Sequence, residues 1–507
     1  MRSNSIKRML CLLVLLTLPA LLFPLRAQGA EEGREAPDYD GYLVYLLREL
    51  APAEWEQYPE LEPVVEGVCR TPLLSEAEEL VSAGLAERFE PNYTASFWED
   101  TASLDSLSFT TDGWAYEAMN TSFASAYSLN GAGVRIGIID SGIDPGNPDL
   151  KQARILEGKD YIDNGSAAND TVYHGTRVAQ VIAAGRNLLG GTGIAGGAEL
   201  VPLRCFSTKS NGTADKLARA ILDAVNVFHC DIINMSWGMK ADTQILRQAI
   251  RYAWDHGVIL IAAAGNVDQQ SVQGTLLYPA AYPEVIGVGA VDKNLSILSS
   301  SQNTAAAEIY APGGQLRFCS SIGTTEIYSG TSFAAPCVSA AAALLKQLAP
   351  FLTPEEVHGL IPGRTALLNA ASSPVVEGAG FSRVDLLLKN GWYGVRRADD
   401  AAGAAVELRS WLLNKGGGIY LAAAYSPAGR LKCLKLSSQA EDSGSIQCTM
   451  EGLSDGDTVA LFSLDPRLQI LADSPRTVIT STETSEPASP DQEEESIEPP
   501  LMESTRT

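Results

Sequence analysis

Val134-Arg135-Ile136-Gly137-Ile138-Ile139-Asp140-Ser141-Gly142 is the stretch that decides the fold. It is apolar but for Arg135 and ends at once in an acidic turn. A continuous apolar run of this length, bounded by Asp, Ser and Gly, reads as a strand buried on both faces. The same texture returns at 200–206, 231–236, 258–264 and 285–290. Helical patterns lie between and after these runs, at 178–184, 214–228, 241–256 and 332–348. Strands alternating with helices predict an α/β domain, with a mostly parallel sheet and helices on both faces. Ligands of such sheets sit beyond the C-terminal ends of the strands. Asp140, Ser236 and Asn266 all fall at such ends.

The chain of 507 residues is long enough for about three domains. Its 45% hydrophobic and 19% charged residues suit a globular protein with a sizeable core. Lys and Arg total 37 against 61 Asp and Glu, a formal charge of -24. Such a field repels phosphate backbones and anionic lipid, so nucleic acid is not an expected partner.

The N-terminus reads as a secretory signal, residues 1–29. Arg2, Lys7 and Arg8 precede an apolar run over 9–23, and Ala27, Gly29 and Ala30 supply small residues for cleavage. The run is shorter than the ~20 residues of a spanning helix, and Pro19 and Pro24 weaken it. No stable membrane insertion is expected, and the location implied is secreted, extracellular or cell-envelope. Residues 30–105 form an acidic α+β module, with a strand at 42–47 and a helix at 75–84. Ser75 with Glu78 fits a capping box there, and Gly84 fits a stop. Residues 106–392 hold the α/β pattern. From 393 to 475 the pattern is β-only, with strands at 418–425, 431–436, 444–450 and 458–464, as in a small β-sandwich. Residues 476–507 are Ser, Thr, Pro and Glu-rich and read as a disordered acidic tail. The 8 cysteines show no C-x-x-C and no metal spacing. They read as buried thiols, with Cys433 and Cys448, on neighbouring expected strands, the best disulfide candidates.

The chemistry-bearing segments occur in the order Asp, His, Ser. Asp140-Ser141-Gly142 alone could be a turn that satisfies backbone groups. His174-Gly175-Thr176 opens an Ala/Val-rich helix and alone could be a simple helix start. The other three of the 4 histidines, His229, His256 and His358, read as structural or surface residues. Ser329-Gly330-Thr331-Ser332-Phe333-Ala334-Ala335-Pro336 leads into a long small-residue helix. Ser332 reads either as an N-cap or as a nucleophile whose oxyanion faces the helix's positive end.

Taken together, these segments resemble the subtilisin-like (subtilase) serine proteases. The run Ala262-Ala263-Ala264-Gly265-Asn266 and the strand before it, Ile233-Asn234-Met235-Ser236-Trp237-Gly238, agree. The resemblance covers roughly 110–390 and implies a secreted endopeptidase that acts on protein or peptide substrates. It implies Ser332 as nucleophile, His174 as general base and acid, Asp140 as its orienting partner and Asn266 as oxyanion donor. It also implies a substrate-binding edge at Ser236, Trp237 and Gly238, with Ala264 and Gly265 nearby. No cofactor is implied for catalysis. Arg177, Phe333 and Cys337 stand where many members have His, Met and His. Leu277 takes a position often held by Gly, which would make the primary specificity pocket shallow.

The acidic module resembles the family's inhibitory pro-segment, a partner carried in the same chain, cut from it between Phe97 and Thr111. A structural calcium site is implied as well. Asp149 and Asn187 would supply side-chain oxygens, and Gly185, Leu189 and Gly191 carbonyls; calcium takes six to eight hard oxygens at about 2.3–2.6 Å. Arg186 opposes it. Two further readings stay open: a catalytically silent scaffold, and a dedicated maturation protease for one precursor.

Overall fold

The computed structural model describes residues 39–389, except 98, 102–112, 164, 269–270, 370–373, 375 and 377–378, together with strands between 393 and 478. The expected signal segment lies outside the described residues, as does the tail from 479 onward.

The central sheet is the predicted mostly parallel one. In spatial order its main strands are Ile309–Pro312, Val285–Val291, Ile259–Ala263, Ile232–Met235, Arg135–Asp140 and Glu199–Arg204. Each adjacent pair among them runs parallel. Side chains of a strand alternate between faces, and the two cores divide accordingly. Ile136, Ile138, Ile259 and Ile261 pack on one face with helices His174–Ala183 and Thr331–Leu348. Ile139, Ile233, Met235 and Leu260 pack on the other with Ala214–Asn226 and Gln244–Asp255. An unbroken apolar run is what a strand covered on both sides requires.

Strand order reverses at one point. After Arg135–Asp140 the chain moves outward to Glu199–Arg204, then returns to the other side of Arg135–Asp140 with Ile232–Met235. The crevice of such a sheet opens at this reversal, past the strand ends. Asp140 ends one of the two strands and Ser236 follows the other.

The acidic module is a sheet over which helix Leu74–Ser82 packs. Its last strand, Ala86–Ala95, continues through Thr94 and Ala95 onto Thr213 and Gly212 of the α/β domain. Asn92 anchors it: Asn92 Nδ2 donates to Asp215 Oδ1 at 2.9 Å, and Asp215 N–H returns a bond to Asn92 Oδ1 at 3.2 Å.

Local readings needed correction. Helix Leu74–Ser82 starts at a Leu73 cap that makes no side-chain bond, so Ser75 and Glu78 lie inside it and form no capping box. Thr71 tethers this end instead, accepting Leu73 N–H at 3.1 Å and bonding Glu76. Gly84, at φ +69°, does end the turn. Ser332 is not a helix cap: the helix begins at Thr331, and Pro336 lies within it beyond the first turn. Cys433 is a free thiol. Its strand, Leu431–Ser438, pairs with Ile419–Tyr425, whereas that of Cys448, Ser445–Glu451, pairs with Gly403–Trp411 in another sheet. Thr477–Val478, assigned to the tail, pairs with Thr458–Leu464.

Candidate active site

The crevice gathers three of the expected residues from three elements. Asp140 closes its strand, His174 opens its helix and Ser332 stands in the first turn of another. His174 Nδ1 lies 2.8 Å from Asp140 Oδ1, and both side chains are essentially fully buried. Ser141 N–H also donates to Asp140 Oδ1, at 2.7 Å. His174 Nε2 is buried without a hydrogen-bond partner. One ring nitrogen is thus committed to the carboxylate and the other is left to take a proton.

Asp170, absent from the sequence reading, and Ser141 and Gly175, read there only as parts of a turn and a helix start, hold this geometry. Asp170 Oδ2 accepts Thr176 N–H at 2.9 Å and Thr176 Oγ1 at 2.6 Å, satisfying the start of the histidine helix. Burial pushes the Asp170 carboxyl upward, against the Thr176 bonds that favour its charge. Ser141 Oγ accepts Gly175 N–H at 2.9 Å. The Gly175 backbone approaches so closely that a Cβ there would stand 2.1 Å from the Gly142 carbonyl oxygen.

Pro336 explains the setting of Ser332. Its missing N–H cannot bond the carbonyl four residues back, which is that of Ser332. Ser236 Oγ donates to that carbonyl at 2.7 Å, while Ser332 Oγ donates to the Ser236 carbonyl at 3.0 Å. Asn266 is oriented from the other side. Its Oδ1 accepts Thr331 N–H at 3.0 Å and Thr331 Oγ1 at 2.7 Å, which turns the Nδ2 amide away from Thr331.

The expected edge is occupied by the chain's own acidic module. Ser96 N–H donates to the Gly238 carbonyl at 2.9 Å and Gly238 N–H to the Ser96 carbonyl at 2.8 Å. Phe97 stacks on the His174 ring with centroids 3.8 Å apart. The Trp237 side chain is buried and faces Phe206, which in turn meets Phe97 edge-on. Leu277 is fully buried against Gly265, filling the space a Cβ would need there; Ala264 lies in the core beside it. Phe333 is buried against His174, and Cys337 Sγ contacts the Phe333 carbonyl, away from the ring. His229, His256 and His358 lie elsewhere, bonded to Val225, Tyr252 and Glu308.

The expected calcium ligands converge in part. Asp149 is buried, neither carboxylate oxygen has a hydrogen-bond partner, and burial pushes its pKa up to about 6. Asn187 and Arg317 lie near enough to favour its charge. A buried carboxylate needs such compensating groups, or a cation, to stay charged. Gly185 N–H bonds the Asp149 carbonyl at 2.8 Å. The Leu189 carbonyl accepts Thr325 Oγ1, and Gly191 lies against the Arg317 carbonyl. Gly190, which the sequence reading passed over, abuts Asp149: a Cβ there would sit 2.4 Å from Oδ2.

The family model for the subtilase family matches residues 131–392. This chain belongs to the subtilase family of subtilisin-like serine proteases. Subtilisin DY of Bacillus licheniformis is 36% identical over 233 residues, spanning 46% of this chain and 84% of the relative. An alkaline protease of Alkalihalobacillus alcalophilus is 30% identical over 335 residues, 64% of this chain and 84% of its own length. Fervidolysin from Fervidobacterium pennivorans, a keratinolytic enzyme related to subtilisin, has the same fold. Its TM-score is 0.61 over 86% of this chain and 88% of that one, at 17% identity.

Gly175→Ala should therefore lower thermal stability by an amount on the order of 1–3 kcal/mol through overpacking. It should also displace the histidine helix. Gly196→Ala, where a Cβ meets nothing within 4 Å, should stay near wild type. Thermal unfolding of the two variants checks the contrast; equal melting points would contradict it.

Proposed function

We propose that this protease is a secreted serine endopeptidase made as a self-inhibited precursor. Asp140, His174 and Ser332 carry its chemistry. The observation that carries the reading is the buried Asp140–His174 pair, met by Phe333 next to Ser332, with Ser96 paired to Gly238 and Phe97 stacked on the His174 ring. Ser332 Oγ attacks the scissile carbonyl and its proton passes to His174 Nε2. Asp140 holds the neutral tautomer and then stabilises the imidazolium. The oxyanion is stabilised by Asn266 Nδ2 and by the Ser332 N–H in the first turn of its helix. His174 returns the proton to the leaving amine, and water releases the acyl group from Ser332.

Protein substrates follow from the family. Secretion rests on the signal pattern of residues 1–29; among the described residues no helix is long and apolar enough to cross a membrane. Residues 30–105 are the inhibitory pro-segment, which supplies a strand and blocks the crevice until it is cut. The β-rich region 393–475 is an accessory domain.

Ser332→Ala should abolish fluorophosphonate labelling and leave the precursor uncut, while wild type matures. Asn266→Ala should keep labelling measurable but lower kcat on the order of 10²–10³-fold. Mass spectrometry and peptide hydrolysis read both; processing of isolated Ser332→Ala would contradict self-cleavage.

We also propose that Asp149, with Asn187 and loop 185–191, holds a stabilising calcium ion. The ion would neutralise the buried carboxylate and has no part in the reaction. At a hundredfold excess over Kd, binding to the folded state alone adds about 2.7 kcal/mol. The melting point should rise in calcium relative to chelator for wild type and not for Asp149→Ala. Superimposed wild-type curves would overturn the site.

A further inference from the structure

Arg177 stands one helical turn after His174, and its surroundings face the crevice. Its Nη2 donates to Tyr328 Oη at 2.8 Å and pairs with Glu326 at 3.2 Å, and the guanidinium lies 3.8 Å over the Tyr328 ring. Its Nη1 points the other way, to Glu99 Oε2 at 3.1 Å. Lys209 Nζ approaches the same carboxylate at 3.6 Å, and the Glu99 side chain is only 6% exposed. Beyond it, Asp100 and Thr101 pair with Ser329 and Tyr328. On the other side of the catalytic residues, Phe97 N–H donates to the Lys209 carbonyl at 3.1 Å and its ring covers His174.

We propose that Arg177, backed by Lys209, sets specificity on the leaving-group side: the enzyme selects a carboxylate side chain immediately after the bond it cuts, and its own first substrate is Trp98–Glu99. The inference rests on the endopeptidase reading above. Ser96 pairs with Gly238, Phe97 covers His174 and Glu99 meets Arg177, so the bond before Glu99 falls between these two sets of contacts. The Ser236 carbonyl is the group that holds Ser332 Oγ. Ser332 Oγ thus bonds to the carbonyl carbon of Trp98, and the C–N bond to Glu99 breaks. The serine proton travels through His174 to the Glu99 amine. Water then hydrolyses the ester, leaving a Trp98 carboxylate and Ser332 restored. Once Glu99 departs, Arg177 keeps the Glu326 carboxylate and Lys209 loses the carboxylate it approached. The pocket keeps an excess positive charge that accepts one acidic side chain and repels a basic one.

The test uses peptides copying residues 93–102 with Glu, Gln or Lys at position 99, cleaved by wild-type chain matured to constant activity. Cleavage should fall after Trp98. The Glu peptide should exceed the Gln peptide in kcat/KM on the order of tenfold, as a charge-assisted hydrogen bond gives, and the Lys peptide should be slower still. Lys209→Gln, at an exposed side chain, should reduce the ratio, and Arg177→Gln should abolish it. Equal rates for Glu and Gln while casein is hydrolysed normally would overturn the inference, as would a preference that survives Arg177→Gln. Should Arg177→Gln not fold, the peptide series and Lys209→Gln decide. Loss of casein hydrolysis as well would instead overturn the endopeptidase reading, and this inference with it.

Discussion

The bond between His174 Nδ1 and Asp140 Oδ1 is the contact around which the catalytic domain is arranged. A fully buried carboxylate is costly unless it is paired and hydrogen-bonded. Three features bring the partners together. The strand carrying Asp140 lies beside the point where strand order reverses, so its end opens on a crevice. The histidine helix presses against that end, close enough to require glycine at 175. Asp170 and Ser141 then satisfy the backbone donors of the helix start.

The serine side obeys a similar economy of backbone groups. Pro336 removes a helical hydrogen bond, and the carbonyl released is taken by Ser236, whose own carbonyl receives Ser332 Oγ. The strand end that orients Ser332 is also the edge on which Ser96 lies. The placement of Ser96 and that of Ser332 therefore share one short segment, 236–238. The occupied crevice follows from this, because the acidic module extends its last strand along that edge and ends with Phe97 on the histidine ring.

Much of this was legible in the sequence. The apolar run before Asp140 could only be a strand covered twice, and the ordered Asp, His and Ser segments pointed to one family. Buried strands and small-residue helices leave strong periodic signals. The supporting residues leave none: Asp170 and Ser141 look like ordinary turn residues until the helix packs against them. Arg177 looked like a departure from the family pattern, and its meaning appears only when Glu99, distant in sequence, is brought beside it. The Ser75 capping box failed because Thr71 and Glu76 already tied down that helix start. The disulfide reading failed in that Cys433 is a free thiol; the strands of Cys433 and Cys448, neighbours in sequence, belong to different sheets.

The central claim is that Asp140, through its buried bond, makes His174 an effective base for Ser332. The rate of Ser332 acylation by a fluorophosphonate, compared between wild type and Asp140→Asn, tests this most directly. The substitution keeps shape but favours the wrong imidazole tautomer. The account predicts a rate lower on the order of 10⁴-fold, with the protein still folded. A folded Asp140→Asn protein that acylates at the wild-type rate would contradict it.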